Sequence, residues 1–458
     1  MKRSTTFFLF SVVALFWWMF TGSGCAQIGF PTGGEKDTIP PVLVSAAPPS
    51  QSIGFTGKKI VFTFNEYVDL QDLQKNIFIS PPLKNNPVVS SYLTHVNINF
   101  RDSLAPNTTY IISLGNAIRD INENNVFSNF NYVFSTGDHI DSLNFNGKVT
   151  LAETGLADST MIALLYRNLD DSAVQHFVPD YMARISGDGS FNFHNLPAGT
   201  FKLYALQDAD GGRTYNSKKE TFAFFDSVIV INGKNNPVEL FAFAQEKISS
   251  IVPSLRSNSE KKLRISNSLI SAYQSLIDPL LVSFNNPLET FDSTQLKLTD
   301  TNFVKIPAVI QLDSTRKKLS ITSNWKAGAF YYFIIPNEAV ADSSGSTIAT
   351  SDSIRFQVKT ETAYGRILLR FTDKGENKVL QMLQGNDIKF SFPITGTTLK
   401  NNLIPPGEYT LRILFDNNNN GKWDTGNYLL KKQPEQAITI PQKLSVRADW
   451  DNERDISF

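Results

Sequence analysis

The stretch DNNNNGKWD, from Asp416 to Asp424, places oxygen-bearing side chains at alternate positions: Asp416, Asn418, Asn420 and, farther on, Asp424. Gly421 stands sixth, where a chain wrapping an ion must turn sharply, and the Lys422 carbonyl stands seventh, as in an EF-hand-like calcium loop. Calcium is a hard cation that takes about six to eight oxygens. Only two carboxylates offset its charge, and Asn427 sits where the bidentate acid would be, so the expected affinity is weak and suited to calcium outside the cytoplasm. The same residues also suit an asparagine-rich hairpin whose side chains cap their own backbone, and both readings stand. A related loop, 208–216 (DADGGRTYN), keeps Asp208 and Asp210 but has Gly212 and Arg213 next in the pattern, and it is expected not to hold an ion.

Other chemistry is sparse. His95, His139, His176 and His194 form no paired metal motif and read as surface residues. No nucleophile elbow, P-loop or dinucleotide fingerprint is present, and Asp170-Asp171 is an ordinary polar-loop pair. Trp325, Tyr331, Tyr332, Trp423 and Tyr428 suit either a binding platform for sugar or protein, or core packing. With 43 basic and 43 acidic residues the net charge is zero, so no overall field attracts nucleic acid. The reading is non-enzymatic.

The chain has one cysteine, Cys25. Before it come Lys2 and Arg3, an apolar run over 7–20 (FFLFSVVALFWWMF), and the small residues Gly22, Ser23 and Gly24. A positive start, a short apolar run and a small-residue cleavage zone make a secretory signal peptide. The run is short for a membrane span, which needs roughly 20 apolar residues. A cysteine directly after the small residues resembles the lipobox of bacterial lipoproteins, although Gly22 replaces the usual aliphatic residue. That resemblance implies cleavage before Cys25 and acylation of its thiol, and therefore attachment to a membrane. Residues 26–41 (AQIGFPTGGEKDTIPP) then read as a tether.

Beyond the tether, alternation of period two dominates. Ile60, Phe62 and Phe64 share one face, as do Val96, Ile98 and Phe100, and Tyr409, Leu411, Ile413 and Phe415. Such stretches are strands with one buried face, and their short lengths between Gly, Pro, Asn and Asp clusters suggest sandwiches. A brief helical spacing occurs only around Leu269, Tyr273 and Leu276. The expected fold is all-β.

The chain also repeats itself. Residues 196–208 (LPAGTFKLYALQD) resemble 404–416 (IPPGEYTLRILFD). Residues 60–68 (IVFTFNEYV) resemble 280–288 (LLVSFNNPL), and 110–120 (YIISLGNAIRD) resemble 332–342 (YFIIPNEAVAD). Two landmark sets in the same order give tandem β-sandwich modules arranged A-B-A-B, each of about 100 residues.

Pro40-Pro41, Phe64-Asn65-Glu66-Tyr67-Val68 and Ala117-Ile118-Arg119-Asp120 resemble the bacterial Ig-like domains of surface-layer proteins. The second copy offers Phe284-Asn285-Asn286-Pro287-Leu288 and Ala339-Val340-Ala341-Asp342. Gly189, Phe191, Phe193, Leu196, Pro197, Gly199, Phe201 and Leu203 resemble the pattern of transthyretin-like domains related to the carboxypeptidase regulatory domain. As a whole the chain resembles the Ig-like lipoproteins of Bacteroidetes-type bacteria. The organisation expected is a signal peptide over 1–24, a tether over 25–38, Ig-like modules over 39–138 and 247–360, and transthyretin-like modules over 139–246 and 361–458. The resemblance implies an outer-membrane lipoprotein. The absence of acids directly after Cys25 favours a periplasm-facing one. Two roles follow: a non-catalytic array of modules, a tethered rod that docks an envelope partner, or an accessory protein recognising a glycan or peptide. Buried aromatics favour the first, and an exposed aromatic patch the second.

Overall fold

The computed structural model describes residues 36–128, 130–246, 262–372 and 377–458. Cys25, the leader and most of the tether lie outside the described residues, as does 247–261 at the start of the second A module. The described chain is all-β: many short sheets, with helices limited to single turns such as Leu73–Asn76 and Ala173–His176. No described helix is long and apolar enough to cross a membrane.

Two compact units emerge, the first built from residues up to 78 together with 84–138. Its main sheet orders Leu43–Ala47, Lys59–Phe64, His95–Asn99 and Val88–Tyr92. The alternation read from the sequence holds, with Ile60, Phe62, Val96 and Ile98 buried. Phe62 meets Tyr132, on the paired strands Thr109–Ser113 and Asn131–Ser135, edge to face at 5.2 Å, which closes the sandwich.

The landmark motif of the A modules has a structural explanation. The Asn65 side chain accepts the Val42 N–H at 2.7 Å, and Asn285 accepts the Arg264 N–H at 2.9 Å. Each asparagine therefore pins the first strand of its module. Asp120 and Asp342 are buried turn caps: Asp120 accepts the N–H groups of Glu123, Asn124 and Asn125, and Asp342 those of Ser344 and Ser346. Without them these turns would bury unpaired donors.

The second unit takes in 139–458. Its A module repeats the main sheet with Ile265–Asn267, Leu280–Phe284, Lys318–Thr322 and Val309–Leu312. The spacing around Leu269, Tyr273 and Leu276 does not make a helix; Tyr273–Gln274 is a short strand parallel to Asp352–Val358. Pairing with that neighbour satisfies the backbone, and the three-residue spacing is incidental.

The two B modules share one topology. In the first, a sheet orders Ser190–Leu196, Leu143–Leu151 and Val238–Ala242; in the second, Thr398–Ile404, Gly365–Phe371 and Asp451–Ile456. In both, the last strand runs parallel to the first. The other sheet orders Tyr181–Arg184, Ile162–Tyr166, Gly199–Leu206 and Phe222–Phe224, matched by Asp387–Pro393, Lys378–Gln384, Gly407–Phe415 and Ala437–Thr439. Gly147 is required by close approach, because a Cβ there would fall 2.5 Å from the Phe191 ring and from the Val238 carbonyl.

The B modules are not separate beads. The N–H groups of Ala437 and Thr439 donate to the carbonyls of Ala152 and Thr154 at 2.7 and 3.1 Å. Arg412, 5% exposed, donates to the Glu153 carbonyl at 3.0 Å and to Gln381 at 2.9 Å. Tyr428 inserts into a ring of Tyr204, Tyr215, Phe222 and Phe224 from the first B module. Its hydroxyl lies 3.0 Å from that of Tyr204 and donates to the Asp171 carbonyl at 2.6 Å.

Candidate functional site

Each B module carries its acidic loop directly after a central strand, Gly407–Phe415 in the second module and Gly199–Leu206 in the first. In the second loop Asp416 is buried, its Oδ1 accepting the Asn420 N–H at 3.1 Å and its Oδ2 the Gly421 N–H at 2.6 Å. Gly421 takes the positive φ of 76° that the turn demands. Asn418 Oδ1 accepts the Asn420 N–H, and Asn420 Oδ1 accepts the Lys422 N–H at 2.7 Å. Both asparagines turn their amide nitrogens onto Asp424 Oδ2. All five residues singled out from the sequence thus come together, in a network where the loop's oxygens accept its own donors.

Sequence reasoning missed Glu435. Its side chain is 5% exposed, with Oε1 accepting the Asn417 N–H at 2.8 Å and Oε2 the Asp424 N–H at 3.0 Å. Trp423 closes the loop, donating to the Glu435 carbonyl and packing on Val379, Leu414 and Ala437. A cleft of about 1040 Å³ opens beside the loop, its lining mixing Lys378, Asn419 and Asn420 with Val379, Pro393 and Ile394.

In the first B module, Asp208, Asp210 and Glu220 bring carboxylate oxygens within 4.8 Å of one another. Asp208 Oδ2 accepts the Arg213 N–H at 3.2 Å, and Asp210 accepts Gly212 N–H and the Asn216 amide. Glu220, 8% exposed, accepts the N–H groups of Asn216 and Ser217 through Oε2. Burial and the neighbouring Asp210 push the Asp208 carboxyl up, and burial pushes Glu220 up against its two backbone donors. The Asn216 amide and the Gly212 N–H hold Asp210 down. A repeated run could have exposed both missed acids: Tyr215-Asn-Ser-Lys-Lys-Glu220 parallels Tyr428-Leu-Leu-Lys-Lys-Gln-Pro-Glu435.

Of the two readings open for the aromatic set, packing accounts for most of it. Tyr428, Trp325 and Tyr331 are buried, Trp423 is half-buried against its module, and Tyr332 stacks on Phe303 at 5.3 Å. All but Tyr332, whose partner Phe303 is exposed, fill cores and modular contacts, because a large apolar ring gains most where water is excluded. The histidines stand apart: His95 meets Thr63, His194 meets Asn144, and His139 lies 3.7 Å from Asp141.

Residues 37–136 match the family of bacterial Ig-like domains. This segment coincides with the first A module. No curated protein matches the chain by sequence. Among solved structures, the major pilin subunit BcpA of Bacillus cereus is 8% identical, with 69% of this chain and 99% of the pilin covered and a TM-score of 0.17. The S-layer protein rSbsC is 12% identical, with 91% and 54% covered and a TM-score of 0.15. A DUF3823 family protein from Bacteroides uniformis is 9% identical, with 48% and 99% covered and a TM-score of 0.14. Scores this low carry no functional information.

Proposed function

We propose that the chain is a lipid-anchored protein of the bacterial cell envelope, facing the periplasm, with a structural or docking role and no catalysis. The observation that carries this reading is how the polar side chains are used. Asp120, Asp342, Asp416 and Glu435 cap turns with their carboxylates, and Arg412 ties two modules together. Groups spent on buried backbone donors hold architecture rather than turn over a substrate. The clasp between the transthyretin-like B modules suits a body that keeps its shape while tethered. Burial of Trp325, Tyr331 and Tyr428 supports the packing role over the glycan- or peptide-binding alternative for these three. The leader and Cys25 supply the anchor in this reading, with an envelope protein as the docking partner.

Metabolic labelling with an alkyne fatty acid tests it. The wild-type chain is expected to take the label in the membrane fraction, and Cys25→Ala to lose both label and fraction. An unlabelled wild type, or a label that survives the substitution, removes the anchor. Protease treatment of intact cells then reads the face: a periplasm-facing protein survives it.

A further inference from the structure

Three asparagines in the chain stand directly before a glycine, Asn146, Asn232 and Asn420, and the fold treats the three pairs differently. We propose that Asn232-Gly233 is a site of spontaneous covalent modification, at which the Gly233 backbone nitrogen attacks the Asn232 amide and converts it to a carboxylate, while the other two pairs are protected. Glycine matters because it has no side chain to crowd the attacking nitrogen. The fold then decides two things: whether that nitrogen is free, and whether the amide carbonyl is polarised.

Asn232 and Gly233 lie exposed in the turn after strand Ile229–Ile231, with Gly233 at a φ of 84°. Asn232 Oδ1 accepts the Lys234 N–H at 3.0 Å, a donor placed on the oxygen that gains charge during attack. Among the described residues no acceptor meets the Gly233 N–H. The pair Asn420-Gly421 has the same turn, with Gly421 at a φ of 76° and Asn420 Oδ1 accepting the Lys422 N–H at 2.7 Å. There the nucleophile is taken. The Gly421 N–H donates to the buried Asp416 carboxylate at 2.6 Å, and the Asn420 amide nitrogen is held by Asp424 at 3.0 Å. A negative charge beside the N–H also opposes loss of its proton. At the third pair Gly147 is buried in mid-sheet, registered with Phe191 on one side and Val238 on the other. The sheet must open before that nitrogen can attack.

In the reaction the Gly233 nitrogen loses its proton to solvent and bonds Asn232 Cγ. The Cγ–Nδ2 bond breaks and ammonia leaves, closing a cyclic imide. Water then opens the ring at either carbonyl, giving aspartate or, where the backbone now runs through Cγ, isoaspartate. Both products add a negative charge to the turn. Isoaspartate also adds a methylene to the backbone between Ile229–Ile231 and Val238–Ala242, the last strand of the first B module. The mark accumulates with the age of the molecule, and it requires neither the lipid anchor nor the envelope role.

The test incubates the full chain in mildly alkaline buffer made with heavy-oxygen water, with samples digested and mapped by mass spectrometry. The peptide carrying Asn232 is expected to gain the mass of the acid with one solvent oxygen, and to become a substrate for isoaspartyl methyltransferase. Asn420 is expected to convert about tenfold more slowly or less, because a hydrogen bond to a charged group must break first. Asn146 should be slower still. A parallel incubation of the chain unfolded in guanidinium should draw the three rates together, which assigns the ranking to the fold. An Asn232 rate in the folded chain no higher than that of Asn420 overturns the proposal. So does a ranking that survives unfolding, or a product without solvent oxygen.

Discussion

Replacing Tyr428 should loosen a module to which it does not belong in sequence. The ring is 2% exposed and meets Tyr204, Tyr215, Phe222 and Phe224 at centroid separations of 5.9, 6.2, 5.1 and 5.2 Å, all from the first B module. Tyr428→Phe keeps the ring and removes the hydroxyl that joins Tyr204 to the Asp171 carbonyl. The Tyr204 hydroxyl, buried at that contact, is left without its partner, which costs about 1–3 kcal/mol. Tyr428→Ala also empties the ring site, and truncating a buried aromatic costs about 3–5 kcal/mol. Every 1.4 kcal/mol is about tenfold in an opening equilibrium. Amide hydrogen exchange on the full chain therefore reads the effect directly. In strands Gly199–Leu206 and Phe222–Phe224, exchange should quicken by about fivefold or more in Tyr428→Phe and by about a hundredfold in Tyr428→Ala. If exchange in those strands stays at the wild-type rate while strand Gly407–Phe415 quickens, the modules are energetically independent and the clasp is only proximity.

Asp342 offers a pH test. Hydrogen bonds from Ser344 and Asn286 hold its carboxyl down to about 2, below the ordinary 3.8. A depressed carboxyl contributes stability above pH 4 that is lost as pH falls toward 2, so the melting gap between wild type and Asp342→Ala should narrow over that range. A gap that is constant with pH defeats this reading. Glu66 in the first A module occupies the place of Asn286 in the second, and burial together with Asp120, Asp37 and Glu123 raises its carboxyl. Glu66→Asn should let an amide donate to Asp120, as Asn286 does to Asp342 at 2.9 Å, gaining about 0.5–1 kcal/mol in a urea melt. A lower urea midpoint would count against the parallel.

Much of the fold was legible because period-two alternation and turn residues act locally. The strand Lys59–Phe64 and the paired landmarks at Asp120 and Asp342 needed no distant information. The clasp was not legible, since Tyr204 and Tyr428 meet across 224 positions. Strand Gly407–Phe415 shows why alternation misled: Tyr409, Leu411 and Ile413 are buried as expected, yet Arg412 and Leu414 on the other face are buried too. Arg412 there meets the first B module at the Glu153 carbonyl, while Leu414 packs with Val379, Ala437 and Trp423 of its own module, and the guanidinium is tolerated because carbonyl and amide acceptors meet it. The acidic loops were half legible. Spacing located Asp416 through Asp424, while Glu220 and Glu435 join from different distances along the chain and fit no fixed motif.

Duplication explains the form of the clasp. Tyr215 and Tyr428 begin the same repeated run, and their rings meet at 6.2 Å. Away from that point the copies diverge. Tyr204 and Arg412 hold the same place after the glycines that open their strands, and one stacks on an aromatic neighbour while the other donates to a backbone carbonyl. A pairing of identical copies would have to satisfy both faces with one residue type. Two copies in one chain are free of that limit, so each face carries the group its opposite needs. The same freedom acts on the loops: one closed its charges within itself, and the other kept three carboxylates together. The module whose loop kept the charge is also the one that receives Tyr428, and Tyr215 stands between them, stacked on Phe222 at 4.1 Å and feeling the charge of Glu220.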